Sequence, residues 1–202
     1  LTVAGSALFL SFGTGNTIEE VNSDSQYKVN YTVQVTDSTG AGVSGVSVSL
    51  SALSWDYIKG HRVAGTSSWT TQINATCINE DRVTGNPAFD FNGILDPGEN
   101  QNGNNNSGVP SMEAGNIATV TPGTGTTDAS GFLQFSIIYP QDHAYYLALV
   151  LRARTAVQGT EYARTTLPFL LQGVATDFNN LNIAPPGPVS PFGDASSCST
   201  FN

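Results

Sequence analysis

Basic residues are scarce in this sequence: seven Lys and Arg stand against sixteen Asp and Glu, for a formal net charge of -9. Lys28, Lys59, Arg62, Arg82, Arg152, Arg154 and Arg164 are scattered along the chain. Affinity for nucleic acid draws on grouped cations that neutralise phosphates, so the composition argues against a nucleic-acid partner. An anionic membrane surface is disfavoured on the same ground. Long apolar runs are also lacking. The opening LTVAGSALFLSFG is broken by Gly5, Ser6 and Ser11 and has no basic segment before it, so it reads as a strand, with no direct membrane insertion. Leu1 stands where an initiator Met would, which points to a processed or excised segment of something longer.

Methionine occurs once, at Met112, and no stretch has the period of a long amphipathic helix. The two histidines, His61 and His143, fall in different predicted turns. Neither belongs to a nucleophile elbow, a paired-histidine helix or a zinc cluster, so the chain is expected not to be an enzyme. Cysteine is limited to Cys77 and Cys198, without the C-x-x-C spacing of zinc or redox sites. A single long-range disulfide, which would imply an oxidising compartment, is the natural reading; two buried free thiols are the alternative.

What is present is turn chemistry and alternation. Gly numbers 21, among abundant Ser, Thr and Asn. In YKVNYTVQVTD, Tyr27, Val29, Tyr31, Val33 and Val35 share one face and Lys28, Asn30, Thr32, Gln34 and Thr36 the other, the period of a half-buried strand. Ser38 to Gly42 supply a turn, and Val46, Val48 and Leu50 resume the alternation, which makes a hairpin. Further strands are predicted over residues 68–77, 117–122, 132–140, 145–157 and 163–171. With the N-terminal strand this gives about seven or eight, the number expected of an all-β, immunoglobulin-like β-sandwich. The chain reads as a single domain, residues 1–202. Residues 78–116 form a long insertion and residues 175–202 an extended, Pro-rich tail, in which Pro185, Pro186, Pro188 and Pro191 bar entry to a sheet interior.

The insertion carries the one constellation with chemistry. Calcium takes roughly six to eight hard oxygen ligands, and a loop of the EF-hand kind alternates side-chain oxygens around a glycine before a final carboxylate. With Glu99 as that carboxylate, Asp90, Asn92, the Ile94 carbonyl and Asp96 fall at ligand positions, and Gly93 at the glycine. Ala88 occupies the first ligand position and has no oxygen to offer, so Asp81 is assigned to replace it. A weaker second series runs through Asn100, Asn102, Asn104, Glu113 and Asn116. Glu80, Asp81, Asp90, Asp96, Glu99 and Glu113 gather around Arg82 as the only nearby cation, so a calcium ion would remove their mutual repulsion. A polar loop without an ion is the plainer alternative. Trp55, Tyr57 and Trp69 are candidates for a glycan-stacking platform, with core packing the commoner fate of such rings.

YTVQVTDSTGAGVSGVSVSLSA and TTDASGFLQFSI resemble the D-x-x-G and V-x-V-x-L-S segments of bacterial immunoglobulin-like domains of invasin- and intimin-type surface proteins. CINEDRV and FNGILDPGENQNG are similar to the C-x-N-E-D-x-N-x-N-G-x-L-D-x-G-E loop of a set of secreted proteobacterial Ig-like proteins, some of them pilus-associated. Residue by residue the match falls on Cys77, Asn79, Glu80, Asp81, Asn92, Gly93, Leu95, Asp96, Gly98 and Glu99, with an insertion between Asp81 and Asn92. The resemblance implies a stalk, adhesin or fibre module at the cell surface or outside the cell. Its partners would be other domains or subunits of a surface protein or fibre, and a host or surface glycan or protein receptor. The expected function is therefore a non-catalytic structural or adhesive module stabilised by calcium. The alternatives are a carbohydrate-binding module of a secreted enzyme and a fibre subunit that exchanges its first strand.

Overall fold

A computed structural model describes residues 7–79, 116–157 and 159–199. Among the described residues ten strands run in chain order: β1 Phe9–Val21, β2 Gln26–Thr36, β3 Ser47–Ala64, β4 Trp69–Ile78, β5 Thr119–Thr121, β6 Thr124–Thr126, β7 Phe132–Pro140, β8 Leu147–Val157, β9 Thr160–Thr165 and β10 Phe169–Leu170. They form two antiparallel sheets, one ordered β1-β2-β7-β5 and the other β10-β8-β3-β4, with β6 paired to β3 and β9 to β8. In immunoglobulin lettering the first sheet is A-B-E-D, and the second is built on C, F and G with an added C′ strand. The fold is thus an immunoglobulin-like β-sandwich, reached by topology alone.

The alternation in β2 has the cause the sequence suggests. Tyr27, Val29, Val33 and Val35 are buried against Phe135, Ile137 and Tyr139 of β7 and against Leu147, Leu149 and Leu151 of β8, while Lys28, Asn30 and Thr32 take the other face, with Asn30 exposed. Both D-x-x-G segments are aspartate-capped turns. Asp37 Oδ1 accepts the amides of Thr39 at 2.8 Å and Ala41 at 3.1 Å, and Asp128 Oδ1 those of Ser130 at 2.8 Å and Phe132 at 2.9 Å. Such side-chain acceptors satisfy turn amides that no ladder reaches. The Thr39 hydroxyl and amide hold the Asp37 carboxyl below the ordinary aspartate value.

Two strands are longer than the sequence pattern suggests. The N-terminal strand read from the sequence ends at Gly13, whereas β1 runs on to Val21 with a bulge between Thr14 and Ile18 and stays paired to β2 on both sides of it. Likewise β3 continues to Ala64 through Asp56, Lys59 and Arg62. Its neighbour β8 covers it only as far as Tyr57, which pairs with Leu147. Beyond that point the C-terminal tail completes the edge: Gly60 N donates to the Gly193 carbonyl at 3.0 Å, Arg62 N to Pro188 at 2.8 Å, and Ser190 N to Gly60 at 2.9 Å. A bridge joins His61 to Val189.

The tail is therefore more than a surface strap. It meets β3 through the Pro188 and Gly193 carbonyls and the Ser190 amide, and it sends Phe178 and Phe192, each 5% exposed, into the core. Phe192 packs on Tyr57 with ring centroids 5.0 Å apart, and Phe178 lies edge-on to Tyr145.

Candidate functional site

The sequence points to the insertion, and the structure describes the two stems from which it springs. One stem is the end of β4 in the second sheet, the other the approach to β5 in the first, so the segment between them joins the two layers. Both stems are fixed. Cys77 is 1% exposed, Asn79 3% and Ala118 5%. The Asn79 amide nitrogen donates to the Ser54 carbonyl at 2.8 Å, and its backbone N–H to Trp55 at 3.1 Å.

Cys77 is bonded to Cys198, with Cα atoms 5.6 Å apart and a sequence separation of 121. The disulfide reading holds, and it ties the end of the tail to the mouth of the insertion. Beside it Lys59, 2% exposed, donates its ammonium to the Ser197 carbonyl at 3.0 Å. A bridge of this span stabilises mainly by restricting the unfolded chain.

The residues read from the sequence as calcium ligands, Asp81, Asp90, Asn92, Ile94, Asp96 and Glu99, and Asn100, Asn102, Asn104 and Glu113 of the weaker series, lie outside the described residues. Asn116 of that series is described and is exposed. Among the described residues no group of three or more His, Cys, Asp or Glu is placed to hold a metal ion.

The three aromatic candidates do not share one surface. Tyr57 is 4% exposed and belongs to the core. Trp69 is half-buried, and its indole N–H is engaged by the carbonyls of Asn180 at 3.1 Å and Ile183 at 3.0 Å. Trp55 is half-buried on β3. The histidines also depart from their predicted turns in part. His61 sits on β3, its Nδ1 2.8 Å from Asp194 Oδ1. His143 does lie in a short turn, Gln141–His143, but is buried, with Nδ1 2.6 Å from Asp142 Oδ1. That bond holds the Asp142 carboxyl below its ordinary value.

Arg62 is a feature the sequence did not single out. It is 7% exposed, and its guanidinium lies 5.1 Å from the Tyr145 ring centroid and 4.9 Å from that of Phe178. The rings come from residues far along the chain, so no local spacing announces the cluster.

The class defined by this architecture is an immunoglobulin-like β-sandwich whose C-terminal tail is locked to the second sheet by one disulfide. No family model matches the chain, and no curated protein matches it. Among solved structures it is similar to the ASH / PapD-like domain of human CEP192 (PapD-like domain 7), at 12% identity over 86% of this chain and 90% of that one, with a TM-score of 0.37.

Proposed function

We propose that the chain is a non-catalytic structural and adhesive module of an extracellular or cell-surface protein, related to the bacterial immunoglobulin-like domains it resembles, with calcium bound in the insertion. The observation that carries this reading is the Cys77–Cys198 disulfide at the base of the insertion. Disulfides persist in oxidising compartments, and this one fastens tail, second sheet and insertion stem together, as a load-resisting surface module requires. The stems join opposite sheets, so an ion that orders the segment between them would brace one layer against the other. A donated-strand role for β1 is less well supported: Leu10, Phe12 and Ile18 pack on the domain's own core, and Phe12 meets Phe135 edge-on at 6.2 Å.

The test is calorimetric unfolding of the oxidised domain in EDTA and in excess calcium, with Asp96→Ala and Glu99→Ala alongside. Calcium about a hundredfold above its Kd adds roughly 2.7 kcal/mol, a rise of several degrees in midpoint. Both substitutions should remove the rise. An identical midpoint with and without calcium would leave the insertion a polar loop and end the calcium reading.

A further inference from the structure

We propose that the outer face of the first sheet binds a neutral oligosaccharide, in a groove opened by the β1 bulge. This site is separate from the insertion and stands whether or not calcium binds there.

The groove, about 590 Å³, crosses the sheet from Gly13 and Gly15 on β1 to Thr121 and Pro122 beside β5. That volume falls in the range of roughly 300–1,000 Å³ usual for small-molecule sites. Its opening depends on the two glycines. A Cβ on Gly13 would lie 2.7 Å from Thr32 Oγ1, and one on Gly15 3.0 Å from the Asn30 carbonyl oxygen. Glycine within a strand often marks close approach of another molecule, and bulges recur beside functional sites.

The floor is polar and uncharged. Paired residues of antiparallel strands point to the same side. Thr32 pairs with Gln134, and Asn30 with Ser136, which pairs in turn with Thr121; all face away from the buried Val33, Phe135 and Ile137. Ser136 donates its hydroxyl to Asn30 Oδ1 at 2.7 Å, and Asn30 donates to Glu19 at 2.8 Å, which is itself held by Lys28. Among the described residues, no side-chain hydrogen bond holds Thr32, Gln134 or Thr121, which pair only through the backbone ladder. They leave two hydroxyls and a complete amide facing the groove.

Those properties select the ligand class. Among the described residues none that lines the groove is charged, so a charged ligand would find no counter-charge on its walls. A neutral polyol can satisfy the free hydroxyls and the amide together, with the Pro122 ring offering surface to its C–H groups.

The experiment is a glycan array probed with the full oxidised chain, followed by titration calorimetry on a retained neutral oligosaccharide. Gln134→Ala and Thr32→Val are the variants, and each is checked for an unchanged unfolding midpoint. Gly13→Val, which fills the notch, is a third where it folds. The expected result is retention of neutral glycans, with affinity lowered about fivefold to tenfold by either floor variant. Failure to retain any neutral glycan would overturn the proposal. So would retention undiminished in folded Gln134→Ala and Thr32→Val, or retention lost only on Trp55→Ala or Trp69→Ala.

Discussion

The guanidinium of Arg62 lies 4.4 Å from the centroid of the Tyr146 ring, buried where its second strand neighbour is the tail rather than β8. One terminal nitrogen donates to the Ala144 carbonyl at 2.6 Å, the other to the Thr71 hydroxyl, and Nε has no partner. No described carboxylate forms an ion pair with it. Burial accordingly lowers its pKa from the ordinary arginine value. A charge this deep, with no counter-ion among the described residues, is held by the faces of three rings and a forked donor geometry, which Lys cannot reproduce. Arg62→Ala should lose about 2–4 kcal/mol in denaturant unfolding, from the cavity and the orphaned carbonyl. Arg62→Lys should recover less than half of that. A Lys variant as stable as the parent would show that charge, rather than the planar group, is what the site uses.

The disulfide closes a loop of 121 residues of sequence separation, and the loop-entropy argument puts its contribution at about 4–5 kcal/mol, with measured bridges usually worth 2–5. The Cys77→Ser, Cys198→Ser double variant should show a lower urea midpoint and earlier proteolysis of the tail, while the sandwich still unfolds in one transition. If the midpoint hardly moves, the tail is held by Phe178, Phe192 and its bonds to β3, and the bridge only caps it.

Strands whose two faces differ in solvent exposure were legible: β7 spans the residues the alternation indicated, and β2 is displaced by one. The far half of β3 was not. Asp56, Lys59 and Arg62 break its apolar pattern, and they are tolerated because partners distant in sequence meet them, the tail carbonyl of Ser197 for Lys59 and three rings for Arg62. The bulged part of β1 was hidden for another reason, since Gly13, Gly15 and Asn16 carry turn chemistry that its pairing with β2 overrides. The disulfide could be read from a count of two cysteines. The groove could not, because its walls come from four strands whose outward residues look like any solvent face.

Glycine at the β7 turn tests how the D-x-x-G motif works. Gly131 has φ +80°, and a Cβ there would sit 2.5 Å from the Val35 carbonyl oxygen and 2.8 Å from the Gly42 Cα. Gly40, in the matching turn after β2, has φ +85° and open space around it. Gly131→Ala should therefore cost about 2 kcal/mol or more, through strain and steric overlap together. Gly40→Ala should cost only about 1 kcal/mol, from the left-handed conformation alone. Equal losses at the two positions would mean that the backbone shifts to admit a methyl at Gly131.

Buried and partly buried tyrosines, Tyr31 among them, give the domain an alkaline limit. Burial raises the phenol pKa of Tyr27, Tyr139 and Tyr146 above the ordinary value, and for Tyr27 the hydrogen bond to Asp177 adds to the rise. The folded state thus favours the neutral phenol, whereas the unfolded chain ionises near pH 10. Their contribution is complete below about pH 10 and falls as pH climbs from there toward the folded values, because the unfolded state then binds fewer protons. Stability measured by denaturant titration should be flat through neutral pH and drop steeply in the alkaline range, with tyrosinate absorbance appearing as structure is lost. Tyr139 also donates to the Gln172 carbonyl at 2.6 Å, so Tyr139→Phe should cost about 1 kcal/mol at neutral pH. Above pH 10 the variant has one group fewer to ionise, and its deficit against the parent should shrink or reverse. A deficit that stays constant across that range would place the alkaline loss elsewhere than on these phenols.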